Sequence, residues 1–239
     1  MKNSLIVLTA TVALIAAGCG QSRKAEESAT ATDSTDVAPK KEGMPRVTIC
    51  LWNEVGIRDN AGEKAKYLTT IYLGEKLTFL GDTASELSGK KKINYKKIRM
   101  TDGQEGWVRD EFIAVDVLPA VFKSEALIYK RPEMATATDK SFNKMDVVAI
   151  KSIKDNWAEV IGKRTGDPWF TSGYVRHENL TNGEKDLEFA ALYRRAIETK
   201  DPDRSKQSLQ RLQATDELRS SSFYSYVFDN ADAAADSIK

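Results

Sequence analysis

The chain has 239 residues, and its 36 basic and 35 acidic side chains nearly cancel, leaving a net charge of +1. That balance excludes the strongly cationic surface of a nucleic-acid binder, so no nucleic-acid partner is expected. A single histidine and two cysteines leave no cysteine pair for zinc, and no glycine loop of the phosphate-cradling kind occurs.

In chain order, Met1-Lys2-Asn3 precedes an uncharged run rich in Leu, Val, Ile and Ala that ends on small residues. The run is too short for a lasting membrane span, but it has the layout of a secretory signal over residues 1–18. Ala16-Ala17-Gly18-Cys19 resembles the lipobox of bacterial lipoproteins, with Ala16 where that family usually has Leu. The resemblance implies lipidation at Cys19 and attachment to a membrane of the cell envelope. Gly20 rather than Asp after the cysteine implies the outer membrane rather than the inner, and the face stays open. Residues 19–45 are polar and carry no aromatic side chain, as expected of a flexible tether.

From residue 46 the pattern changes to short strand-like runs. Arg46 to Trp52 alternates, with Val47, Ile49 and Leu51 on one face, and reads as an edge or closing strand. Leu77 to Leu80 and Lys96 to Met100 are further strands. Thr83 to Lys92 reads as a polar loop with a solvated lysine tip. Asp102-Gly103 has the chemistry of a tight turn into Gln104.

The strongest signal is a repeat. Gly106-Trp107-Val108-Arg109-Asp110-Glu111-Phe112-Ile113 recurs as Gly173-Tyr174-Val175-Arg176-His177-Glu178-Asn179-Leu180, an offset of 67 residues from Gly106 to Gly173. The first copy also carries Val55-Gly56-Ile57-Arg58, Tyr72-Leu73-Gly74-Glu75-Lys76-Leu77 and Tyr95 to Arg99. Looser counterparts run from Ala126 to Pro132, Met145 to Ile150 and Trp157 to Ile161. This succession, over about residues 46 to 181, resembles the bacterial SH3-like (SH3b) family. The resemblance implies a mainly β chain with two tandem small SH3-like β-barrels over 46–116 and 117–182. Val115 to Val121 joins them without a glycine- or serine-rich spacer, so the two are expected to pack together.

Trp107 and Tyr174 can each be a core anchor or a stacking surface. Aromatic residues beside charges on predicted loops are better ligand-binding candidates: Arg58, Tyr67, Tyr72 and Tyr95 in the first copy, and Tyr129, Trp157, Trp169 and Phe170 in the second. Packing against the neighbouring module or the tail would equally explain Trp169-Phe170.

Beyond Gly183 the period becomes helical. Leu187, Ala190, Ala191 and Ile197 line one helix, which stops at Lys200-Asp201-Pro202. A second, from Asp203 or Ser205, turns Leu209, Leu212 and Leu218 inward and continues towards Phe228, completing an α-helical hairpin over 183–239. Phe223, Tyr224, Tyr226 and Phe228 form a stripe that either docks on the second module or offers a partner-binding surface.

No catalytic residue, metal site or cofactor is expected. His177-Glu178-Asn179-Leu180-Thr181 starts like a zinc-protease motif but has Thr181 where a second histidine is required. A Cys50–His177 dyad would need two distant modules to converge. The chain therefore reads as a non-enzymatic, lipid-anchored envelope protein whose SH3-like modules recognise cell-wall peptide or polypeptide ligands, the ligand class being implied by the resemblance. The alternative is an envelope interaction scaffold that works through its helical tail.

Overall fold

The computed structural model describes residues 46–229. The expected signal peptide, the lipidated Cys19, the tether and the end of the tail lie outside the described residues. The strands are β1 (Val47–Cys50), β2 (Val55–Arg58), β3 (Tyr67–Ile71), β4 (Lys76–Ser88), β5 (Lys91–Arg99), β6 (Glu105–Arg109), β7 (Ile113–Phe122), β8 (Ala126–Tyr129), β9 (Ala137–Phe142), β10 (Val147–Lys154), β11 (Trp157–Lys163), β12 (Phe170–Arg176) and β13 (Leu180–Thr181). Three helices follow: α1 (Glu184–Glu198), α2 (Pro202–Ala214) and α3 (Tyr224–Phe228). The chain is mainly β, as expected, and its 13 strands form one antiparallel sheet that does not close.

The repeat in sequence is a repeat in topology. The strand order β3-β2-β6-β5-β4-β1 recurs as β9-β8-β12-β11-β10-β7, and β13 pairs with β7 as β7 pairs with β1. Each copy of the eight-residue motif is a strand followed by a 3₁₀ turn, Asp110–Phe112 or His177–Asn179. Its glycine has a steric reason. A Cβ on Gly106 would lie 2.3 Å from Ile57 Cγ2, and one on Gly173 would lie 2.5 Å from Ile128 Cγ2, so β2 and β8 cross too closely for any side chain.

Strand β7 belongs to both halves. Its start pairs with β1, Ile49 opposite Ala114, and its end pairs with β10, Val147 opposite Val121. The boundary expected at 116/117 falls inside this strand, at Asp116, whose φ of +55° breaks the register between Val47 and Ile49. Arg46 holds the break: its Nε donates to the Asp116 carbonyl at 2.8 Å and to Oδ1 at 3.0 Å, and its Nη2 donates to the Lys151 carbonyl at 2.8 Å.

Two expectations need correction. Strand β1 is not an edge strand but lies between β4 and β7, with Ile49 and Cys50 both 0 % exposed. Its faces look into different cores: Ile49 packs in a central cluster with the helices, whereas Cys50 packs with Val55, Ile57, Ile98 and Val108 of the first half. The polar stretch from Thr83 is not a loop either. It extends β4 to Ser88, paired with β5 down to Ser88 opposite Lys91, because alternate residues such as Tyr95 and Ile93 still find buried positions.

A second core lies within the other half, around Phe122, Phe142, Ile150, Val160 and Val175, with the Phe122 and Phe142 rings stacked at 4.8 Å. The central cluster needs the tail. Leu187, Phe189 and Ala190 of α1, with Leu212, Leu218 and Phe223, cover Ile49, Leu51 and Leu73 from the first half and Val121, Val147 and Ala149 from the second. The tail also departs from a hairpin. Helix α2 begins at Pro202, with the Asp201 side chain capping Asp203 and Arg204, and it stops at Ala214. A 3₁₀ turn at Asp216–Leu218 then redirects the chain into the short α3. Asp186 supports this turn, accepting from Ser221 Oγ, Ser222 N and Ser222 Oγ at 2.8–3.0 Å.

Candidate functional site

Where β1 ends, the chain turns sharply through Trp52-Asn53-Glu54, and Glu54 takes φ +58°, a left-handed conformation uncommon for a residue with a long side chain. The bend is tied on several sides. Leu51 N donates to the Phe112 carbonyl at 2.9 Å, and the Cys50 thiol donates to the Trp52 carbonyl at 3.2 Å. Burial pushes that thiol up to about 12, which makes it an inert packing group rather than a nucleophile. The Trp52 ring lies 5.6 Å from Phe112 of the first half and 5.2 Å from Phe170 of the second, with Lys163 Nζ over its face at 4.4 Å. Trp52 and Glu54 thereby become a wall with a cleft on either side.

The smaller cleft, about 180 Å³, is completed by Val55, Gly56, Arg58, Tyr95, Trp107, Arg109 and Phe112. Its polar groups are fixed in place: Arg58 Nη1 donates to the Ala65 carbonyl at 2.6 Å, Arg109 to Glu63 at 2.7 Å and the Tyr95 hydroxyl to Glu86 at 2.6 Å. Burial, and then the Glu86 hydrogen bond, raises the Tyr95 phenol above its ordinary value.

The larger cleft, about 560 Å³, lies where both halves meet α1 and is lined further by Lys163, the 165–168 loop, Arg195, Ile197 and Glu198. Arg194 anchors this end of α1. Although 3 % exposed, it donates to Asp146 Oδ1 at 2.9 Å, Thr165 Oγ1 at 2.7 Å, the Arg164 carbonyl at 3.0 Å and Glu198 Oε1 at 2.6 Å. Glu198 also accepts from Asn53 Nδ2 at 2.5 Å, so one helix end grips both halves. Burial pushes the Glu198 carboxyl up, but Arg194, Asn53 and Lys163 outweigh it and hold it below its ordinary value. The 164–169 loop is stiffened in turn. Arg164 Nη2 bonds Asp167 at 2.6 Å, and Trp169 N donates to Asp167 at 3.1 Å, which together lower the Asp167 carboxyl. This rigid loop displays Trp169 with 75 % of its surface exposed.

The candidate residues scatter around this geometry. Arg58 and Tyr95 line the smaller cleft, Phe170 packs on Trp52, and Trp169 is exposed on the loop whose residues 165–168 line the larger cleft, without lining it itself. Tyr72 lies under the Arg195 guanidinium, 3.4 Å from ring centroid to charge. Tyr67 is exposed on β3, its hydroxyl 2.8 Å from Thr70 Oγ1 and away from both clefts. Tyr129 and Trp157 are both buried and pack edge to face at 4.8 Å, with Arg176 over the indole, and neither lines the two clefts.

The tail stripe is similarly spent on packing. Phe223 is 1 % exposed, Phe189 lies 6.1 Å from both the Tyr224 and Phe228 rings, and Tyr224 donates to the Gln213 carbonyl. Only Tyr226, half exposed beneath Lys144, remains on the surface among these four.

Sequence reasoning missed Trp52, Glu54, Lys163, Arg195 and Glu198. Trp52 was legible as a large apolar residue beside a polar pair at a strand end, but the helix residues carried no signal before the tail was seen to return to the sheet. Among the described residues no group of three His, Cys, Asp or Glu side chains could hold a metal, and no helix is long and apolar enough to cross a membrane.

No family model and no curated protein matches the chain. Among solved structures it is similar to NlpC2 from Trichomonas vaginalis, at 16% identity and a TM-score of 0.24, over 64% of this chain and 54% of that one. It is also similar to NlpC1 from the same organism, at 15% identity and a TM-score of 0.23, over 69% of this chain and 56% of that one. The chain thus spans about half the length of the solved structures it matches.

Proposed function

We propose that this chain is a non-enzymatic envelope binding protein, lipid-anchored at Cys19, whose two halves are tandem SH3-like modules that recognise cell-wall peptide or polypeptide ligands. The repeated strand order supports the tandem reading, with β7 serving both units. The observation that carries the binding reading is the pair of clefts meeting at Trp52 and Glu54. Flat apolar surface from Trp52 and Trp107 alternates there with arginine and carboxylate groups, as peptide recognition requires. Trp169, next in the chain to Pro168 of the larger cleft, adds an exposed indole on a braced loop, which loses little freedom on binding.

The test is co-sedimentation of residues 44–239 with purified insoluble peptidoglycan. Retention is expected for the unaltered protein, with several-fold loss in Trp169→Ala and Arg58→Ala and unchanged thermal melting in the former. No retention, or equal retention by both variants, would remove wall binding as the function.

A further inference from the structure

The larger cleft has an internal charge balance that leaves two groups over. Its lining carries Lys163 and Arg195 as cations and Glu54, Asp167 and Glu198 as anions. Three of the five are engaged: Lys163 with Glu198 at 3.7 Å and the Trp52 face, Asp167 with Arg164, and Glu198 with Arg194 and Asn53. The Glu54 carboxylate makes no ion pair or hydrogen bond among the described residues, and neither does the Arg195 guanidinium.

The Arg195 side chain and the backbone that carries Glu54 are nonetheless held in place. Arg195 lies over the Tyr72 ring at 3.4 Å. That contact engages the ring without using any hydrogen bond of the guanidinium, so its N–H groups stay available to take a carboxylate through two parallel hydrogen bonds. Glu75, which feels the Arg195 charge, makes no hydrogen bond to it. Glu75 turns its Oε2 to the Tyr72 amide at 3.1 Å, and burial raises its carboxyl while the Arg195 charge pulls it back. Glu54 is set by its left-handed backbone, a conformation that persists when the surrounding structure enforces it. Its immediate neighbours Asn53 and Trp52 are pinned to Glu198 and to two aromatic rings.

We infer that the larger cleft recognises a short peptide segment bearing both a free carboxylate and a free ammonium, the carboxylate taken by Arg195 and the ammonium by Glu54. The inference rests on the peptide-binding reading above and supplies its chemistry. Neutral or singly charged ligands would leave one of the two groups desolvated without a partner, so discrimination comes from both ends. The apolar faces of Trp52 and Ile197 accommodate the segment between them. A stem peptide of the cell wall and the end of a polypeptide share this chemistry.

The full chain, purified in detergent, is titrated by calorimetry with di-, tri- and tetra-alanine, each also N-acetylated and C-amidated. The free peptide of best-fitting length should bind about tenfold or more tightly than either blocked form, the scale of one charge-assisted contact. Arg195→Gln should abolish discrimination against the amide while keeping discrimination against the acetyl group, and Glu54→Gln should do the reverse. Each discrimination is a ratio within one variant, so a general loss of stability cannot imitate it. A last residue changed from L- to D-alanine separates a wall-type end from a polypeptide end.

Equal binding of free and blocked peptides, no binding of any, or variants that keep both ratios would overturn the charge-pair assignment. Sacculi that retain the unaltered chain and both variants alike would then leave wall recognition standing without it. Conversely, the stated ratios in a chain that sacculi fail to retain would uphold the charge pair and discard the wall as its source.

Discussion

The guanidinium of Arg194 meets the carboxylate of Asp146 at 2.9 Å with both side chains sealed from solvent, at 4 % and 0 % exposure. The pair joins α1 to the turn before β10, and its remaining valences are filled: Asp146 accepts from Asn143 N, Thr165 N and Thr165 Oγ1 as well. It is thus the most completely satisfied link between the tail and the sheet.

Removing one partner strands the other charge in the interior. Arg194→Leu should lower unfolding free energy by about 3–5 kcal/mol, as for other broken buried pairs. Asp146→Asn should be comparably costly, because Asn143 N and Thr165 N bond different carboxylate oxygens, so the single amide oxygen serves only one of them while Arg194 loses its counter-charge. Urea denaturation of the single and double variants checks this; the double substitution should be milder than the sum of the two singles.

At the register break in β7, Asp116 can hold φ +55° because a short polar side chain tolerates the left-handed region. Asp116→Val should destabilise by about 1–2 kcal/mol through that conformation. Asp116→Asn should stay within about 0.5 kcal/mol, since the ion pair it loses is exposed and Arg46 still bonds the Asp116 carbonyl. Thermal melts of the two variants separate backbone strain from charge.

The pH response contains opposing contributions. Burial raises the Glu75 carboxyl above its ordinary 4.5, so the folded chain binds the extra proton and this group's contribution falls as pH rises from 4.5 through the folded value. Glu75→Gln should therefore match the parent below that window and become the more stable protein above it. Asp186 has the opposite sign. Burial pushes its carboxyl up, but Ser222, Ser221 and Thr181 outweigh this and lower it from 3.8, so its contribution is present above 3.8 and lost as pH falls through the folded value. Chemical denaturation across pH 3–8 of the parent, Glu75→Gln and Asp186→Asn resolves both signs.

Ending the chain after residue 182 would uncover Ile49, Leu51, Val121, Val147 and Ala149, which the tail now buries. The shortened protein should bind a hydrophobic dye and self-associate on gel filtration, whereas a chain ending after 229 should remain monodisperse.

The β content, the 67-residue repeat and the start of α1 were legible because each rests on a local rule: alternation, a glycine where strands cross, a switch of period at Gly183. The extent of β4 was not, since a hairpin paired along polar residues has the composition of a loop. Nor was the interior position of β1, whose alternation marks two different cores rather than core and solvent. Of the site, Arg58, Tyr95, Trp169 and Phe170 were visible as aromatic or charged residues near turns. Arg195 and Glu198 were not, because their place depends on where α1 lands, and Arg194 brings that about only through a buried partner 48 residues away.

The double membership of β7 also imposes an order in time. As the chain is synthesised, β7 can complete the first half immediately by pairing with β1, but its later residues, up to Phe122, must wait for β10 along one edge and β13 along the other. During that interval an apolar strand edge stands open, of the kind that pairs with strangers. The first half is thus finished early yet left adhesive, and the residues between Lys123 and Asp146 set how long the exposure lasts.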